Sequence, residues 1–102
     1  DVIQAKLLSL VTTNKKAINT IYNVAYGDRN TLNDLIGYLK EYLSELDSKI
    51  SSIEVIHGPN RVGDIPHSHA SVDKVKENLN YNPQFSLQKG LKQAVKWYWE
   101  NL

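Results

Sequence analysis

The sequence predicts a small α/β fold in which two short parallel strands accompany four helices. Two observations predict it. Residues 20–26 (Thr-Ile-Tyr-Asn-Val-Ala-Tyr) and residues 52–57 (Ser-Ile-Glu-Val-Ile-His) are short runs rich in β-branched and aromatic side chains. Between them lies a helical period long enough to return the chain to the same edge of a sheet, the connection that parallel strands need.

Each element has its own signal. Residues 2–11 read as a helix, with Val2, Ile3, Ala5, Leu8 and Val11 on a shared face. Thr-Thr-Asn-Lys-Lys then breaks the pattern before the first strand. After Gly27-Asp28-Arg29-Asn30 a second helix begins, with Leu32, Leu35, Ile36, Leu39, Leu43 and Leu46 in helical period. Thr31 is placed to cap it, and Asp34 to complete a capping box. The second strand follows, then a loop from Gly58 to Ala70. Asp73 is expected to cap a short helix carrying Val75 and Leu79, which ends before Pro83. From Ser86 a last helix shows Leu87, Leu91, Ala94, Val95, Tyr98 and Leu102 on one face. Tyr81 and one or two of Trp97, Tyr98 and Trp99 are expected in the core.

The composition narrows the partners. A formal net charge of +1 gives no field for nucleic acid or an acidic membrane surface. No apolar run is long enough to span a bilayer, and there is no Cys for disulfide or thiol chemistry. A cytoplasmic setting fits. The chain contains no Met and starts at Asp1, so a piece of a larger protein is expected. Two strands alone make a poor sheet, which points the same way.

In open α/β sheets, ligands bind beyond the carboxyl ends of the strands. Parallel strands would bring the loop carrying Arg29 and the loop carrying Arg61 to that edge, beside the start of the second helix. Two guanidinium groups at a helix N-terminus suit a phosphate or diphosphate. Asp64 would repel phosphate, and fits better as an acceptor for sugar hydroxyls. Phosphate and polyol on one loop suggest a nucleotide. His67 and His69 lack a third ligand, so no metal site is expected.

With these residues in place, the whole chain resembles the C-terminal part of extended short-chain dehydrogenase/reductases, the nucleotide-sugar epimerases in particular. Asp-Val-Ile-Gln-Ala at the start resembles the end of their Tyr-x-x-Asp-Val-x-x-Ala segment. The stretch from Tyr22 to Asn33 resembles their Tyr-Asn-Val-Ala-x-Gly-Asp-Arg motif, and that from Arg61 to Pro83 their Arg-x-Gly-Asp and Leu-Gly-Tyr-x-Pro motifs. Gly-Asp-Arg and His-Ser are similar to the UDP-N-acetylglucosamine 4-epimerase branch. Pro66, Ser71, Val75 and Asn80 depart from the usual pattern.

The resemblance implies that the chain, residues 1–102, is a UDP-sugar-binding lobe. Arg61 would bind the diphosphate, Asp64 the ribose, and Arg29 the UDP at a second point. His67 and Ser68 would line the sugar pocket, where the small Ser68 leaves room for an N-acetyl group. It also implies a parent 4-epimerase that uses NAD, works as a homodimer and carries a Rossmann lobe that this chain lacks. With no Gly-x-x-Gly-x-x-Gly and no Tyr-x-x-x-Lys, the chain alone is expected to hold no NAD and to be inactive. A dehydratase or decarboxylase would share this lobe. A stand-alone interaction or dimerisation module is the alternative of another class.

Overall fold

Helices form where the apolar period places them. In the computed structural model, which describes residues 1–65 and 69–102, they are α1 (Val2–Val11), α2 (Leu32–Leu46), α3 (Asp73–Leu79) and α4 (Leu87–Asn101). Short 3-10 turns occupy Lys15–Ala17 and Ser48–Ser52. They divide between two units. The first comprises Asp1–Arg29 and His69–Ser86, and the second Asn30–Ser68 and Leu87–Leu102.

The predicted α/β class is not what forms: among the described residues there is no strand and no sheet. Residues 20–26 and 53–57 are without regular structure, and Ser52 belongs to a 3-10 turn. A strand is defined by its ladder, and β-rich composition supplies none by itself. Several backbone carbonyls of these runs are instead served by side chains. Lys74 Nζ donates to the Ile21 carbonyl at 2.9 Å and also to Thr20 Oγ1. The Tyr81 hydroxyl donates to the Ala25 carbonyl at 2.9 Å. Lys40 Nζ donates to the Ile53 carbonyl at 2.7 Å.

The first unit is built around α3. Val75 is 1% exposed, and Ala5, Ala17, Val72, Leu79 and Tyr81 share its cluster. Burying one such aliphatic side chain contributes about 1.5–3 kcal/mol. Only Ala5 of α1 is buried, with Leu8 packed against the cluster, while Val2, Ile3 and Val11 of the predicted face are exposed. Asp73 is the first residue of α3 and not its cap; the cap position falls to Val72 and has no side-chain cap bond. Asn80 ends α3 in the left-handed region at φ 53°. Glycine is the usual residue there and Asn tolerates it, so the helix stops at Leu79, ahead of Pro83. The Asp1 carboxylate closes the unit, accepting from the Gln84 and Phe85 N–H groups at 2.8 and 3.0 Å.

In the second unit α2 packs on α4, with Tyr42 and Val95 buried. Lys92 Nζ lies 5.5 Å from the centre of the Tyr42 ring, within cation–π range. The predicted core role for the C-terminal aromatics is not realised: Trp97, Tyr98 and Trp99 are 58%, 55% and 49% exposed. No helix of the described residues is long and apolar enough to cross a membrane.

The predicted capping box is present. Asp34 N–H donates to Thr31 Oγ1 at 3.1 Å, and the Asp34 carboxylate accepts from Thr31 N–H at 2.7 Å. The Thr31 N–H and hydroxyl hold the Asp34 carboxyl below the ordinary carboxylate range. A lowered folded value means that this contribution is present above the unfolded range and lost as pH falls through the folded value. The expected result is an Asp34 carboxyl titration displaced to low pH by NMR, accompanied by the Thr31 amide. A carboxyl titrating at the ordinary value would show that the box does not hold in solution.

Candidate functional site

The loop after the first extended run is shaped by Gly27. It takes φ 101°, which L side chains rarely adopt, and a Cβ there would meet Val72 Cγ2 at 3.2 Å. Its carbonyl is hydrogen-bonded to His69 Nε2 at 3.1 Å. A carbonyl only accepts, so Nε2 carries the proton. Together with the Tyr81 bond to Ala25, this holds two carbonyls within three residues. Beside them opens a polar cleft of about 510 Å³, lined by Tyr26, Gly27 and Asp28 and by His69, Ser71, Asp73 and Lys76 among others. The volume is that of a small-molecule site. Its charges are mixed, so the cleft by itself does not select an anion. Arg29, exposed, is the last residue of this stretch of the first unit.

The second loop belongs to the other unit. His57, where the loop begins, is held by Asn33 in the first turn of α2, with Nε2 3.1 Å from Asn33 Oδ1. Beyond it, Asp64 N–H donates to the Arg61 carbonyl at 3.2 Å, and Gly63 takes φ 82°. A four-residue turn with positive φ at its third position has the type II pattern, which explains the glycine in Arg-x-Gly-Asp. Arg61 and Asp64 are therefore the two ends of one turn, and both are exposed. A cation and a carboxylate presented at that spacing can serve neighbouring groups of one ligand, one anionic and one hydroxylated.

The head of α2 is less open to an anion than its position in sequence suggests, because the capping box already brings the Asp34 carboxylate to it. His67 and Ser68, assigned above to the sugar pocket, lie outside the described residues. Among the described residues no group of three potential metal ligands comes together. His69 was missed by sequence reasoning, which treated it only as half of an incomplete metal pair. Its partner is a backbone carbonyl 42 positions away, and no residue pattern announces that.

No family model matches the chain, and no solved structure matches it. Curated proteins do. The chain is 30% identical over 78 residues to UDP-glucuronate 4-epimerase 4 of Arabidopsis thaliana, covering 76% of this chain. It is 33% identical over 78 residues to UDP-glucuronate 4-epimerase 6 and 30% identical over 82 residues to UDP-glucuronate 4-epimerase 5 of the same plant. The match spans 17%, 16% and 18% of those three proteins. The similarity supports a relationship to nucleotide-sugar epimerases.

Proposed function

We propose that this chain is the UDP-sugar-binding lobe of an NAD-dependent nucleotide-sugar 4-epimerase, itself a homodimer in the extended short-chain dehydrogenase/reductase family. The observation that carries this is the similarity to UDP-glucuronate 4-epimerases over 76% of the chain. The turn that presents Arg61 and Asp64 together is consistent with it. In this reading Arg61 engages the diphosphate, Asp64 accepts from the ribose hydroxyls and Arg29 adds a contact to UDP. His67 and Ser68 border the sugar, and the small Ser68 favours an N-acetylated sugar.

The residues in hand do not fit NAD. The sequence contains no Gly-x-x-Gly-x-x-Gly and no Tyr-x-x-x-Lys, and no strand-turn-helix forms among the described residues. The cofactor is therefore assigned to the parent enzyme, outside the residues of this chain. Binding by the lobe alone is expected to be weak, since ordering costs remain while contacts are fewer.

UDP titrated into the ¹⁵N-labelled chain is expected to shift amides of residues 57–65. Losing a charge-assisted contact costs about 1.5–3 kcal/mol, so Arg61→Ala should weaken binding roughly 10- to 100-fold with the fold intact. Amides that ignore UDP in the wild-type chain would overturn the reading. UDP-N-acetylglucosamine and UDP-glucuronate compared in the same titration choose between the N-acetylated sugar and the sugar for which the relatives are named.

A further inference from the structure

We infer that His69 is a positioning residue for the loop that carries Arg29, acting through the Gly27 carbonyl. The inference rests on the proposed UDP-binding reading, which gives Arg29 its ligand. Gly27 has no side chain to pack, and glycine takes positive φ about as readily as negative, so the observed φ of 101° needs something else to fix the peptide. No ladder does so, because the run that leads into the loop is unpaired. Lys74 serves the start of the run, and at its loop end two further side-chain donors from the same unit take the ladder's place. Tyr81 holds the Ala25 carbonyl at 2.9 Å, and His69 holds the Gly27 carbonyl at 3.1 Å. Tyr81 is a core residue and fixes where the run ends. His69 is exposed, outside the hydrophobic cluster, and fixes the direction in which the chain leaves toward Asp28 and Arg29. The requirement on His69 is narrow: one N–H donor at the distance of Nε2 from the backbone. Gln supplies an N–H at a similar reach; Ala supplies none, and Glu presents an acceptor to an acceptor.

The test uses the full chain as wild type, His69→Ala, His69→Gln and His69→Glu. Long-range ¹⁵N spectra should show the His69 proton on Nε2. Heteronuclear NOEs at Asp28 and Arg29 should fall in the Ala and Glu variants and return in the Gln variant, while amides of α3 are unchanged. UDP affinity should drop about tenfold in the Ala variant, as expected for about 1.4 kcal/mol of lost ordering, and recover with Gln. A wild-type chain that binds UDP equally well as His69→Ala overturns this inference and leaves the binding reading standing. A Gln variant that behaves like Ala also overturns it, since the role would then belong to the imidazole and not to its N–H. A wild-type chain that does not bind UDP overturns the binding reading and this inference with it.

Discussion

Val75→Asp is expected to unfold the first unit. Val75 is 1% exposed, which leaves almost no surface at which a carboxylate there could be hydrated. Its cluster of Ala5, Ala17, Val72, Leu79 and Tyr81 offers one hydroxyl, already donated to the Ala25 carbonyl. An unpaired buried charge costs several kcal/mol even after relaxation, and a small domain has only about 5–15 kcal/mol in total. A graded series separates charge from shape. Val75→Ala removes two methyl groups and should cost roughly 2 kcal/mol. Val75→Thr keeps the shape and buries a hydroxyl, for about 1–3 kcal/mol. Urea unfolding followed by NMR reads the series unit by unit. Amides of α1 and α3 should lose protection together in the Asp variant. An Asp variant as stable as Val75→Ala would place residue 75 at a wet surface and would remove α3 from the centre of the unit.

The elements that sequence reasoning finds are those whose causes are local. Thr31 and Asp34 are three residues apart, so their capping box is settled by the chain itself. The α2 and α4 helices follow from a period carried through 15 residues each. The two predicted strands fail for the opposite reason. A run of β-branched residues states a fitness for a pleated, half-buried surface, and pairing must come from elsewhere. Here the donors are Lys74, Tyr81 and Lys40, at separations of 53, 56 and 13 residues. The site divides in the same way. The turn that joins Arg61 to Asp64 has a local cause, a glycine at the position requiring positive φ, although the sequence reading gives only a loop there. The His69 bond to Gly27 is not written in any motif, and Trp97, Tyr98 and Trp99 show that aromatic content near a terminus does not establish burial.

Tyr81 is where the packing of the first unit and the geometry of its loop meet. The ring is 3% exposed within the α3 cluster, and the hydroxyl supports the Ala25 carbonyl two residues before Gly27. Tyr81→Ala should therefore cost about 3–5 kcal/mol through the lost ring and the cavity left behind. Tyr81→Phe keeps the ring and strands a carbonyl, for about 1–3 kcal/mol, with the largest shifts at residues 25–28. Burial also pushes the phenol above its ordinary value. For a group raised on folding, the stability contribution is complete below the unfolded value and lost as pH rises through the folded one. The wild-type unit should thus lose stability on the alkaline side, and Tyr81→Phe should flatten that loss while starting from a lower plateau. Denaturation of both proteins across the alkaline range, with α4 amides as an internal reference in the other unit, makes the comparison. An alkaline loss of the same size in Tyr81→Phe would assign the titration to another group and leave Tyr81 with packing and its hydrogen bond alone.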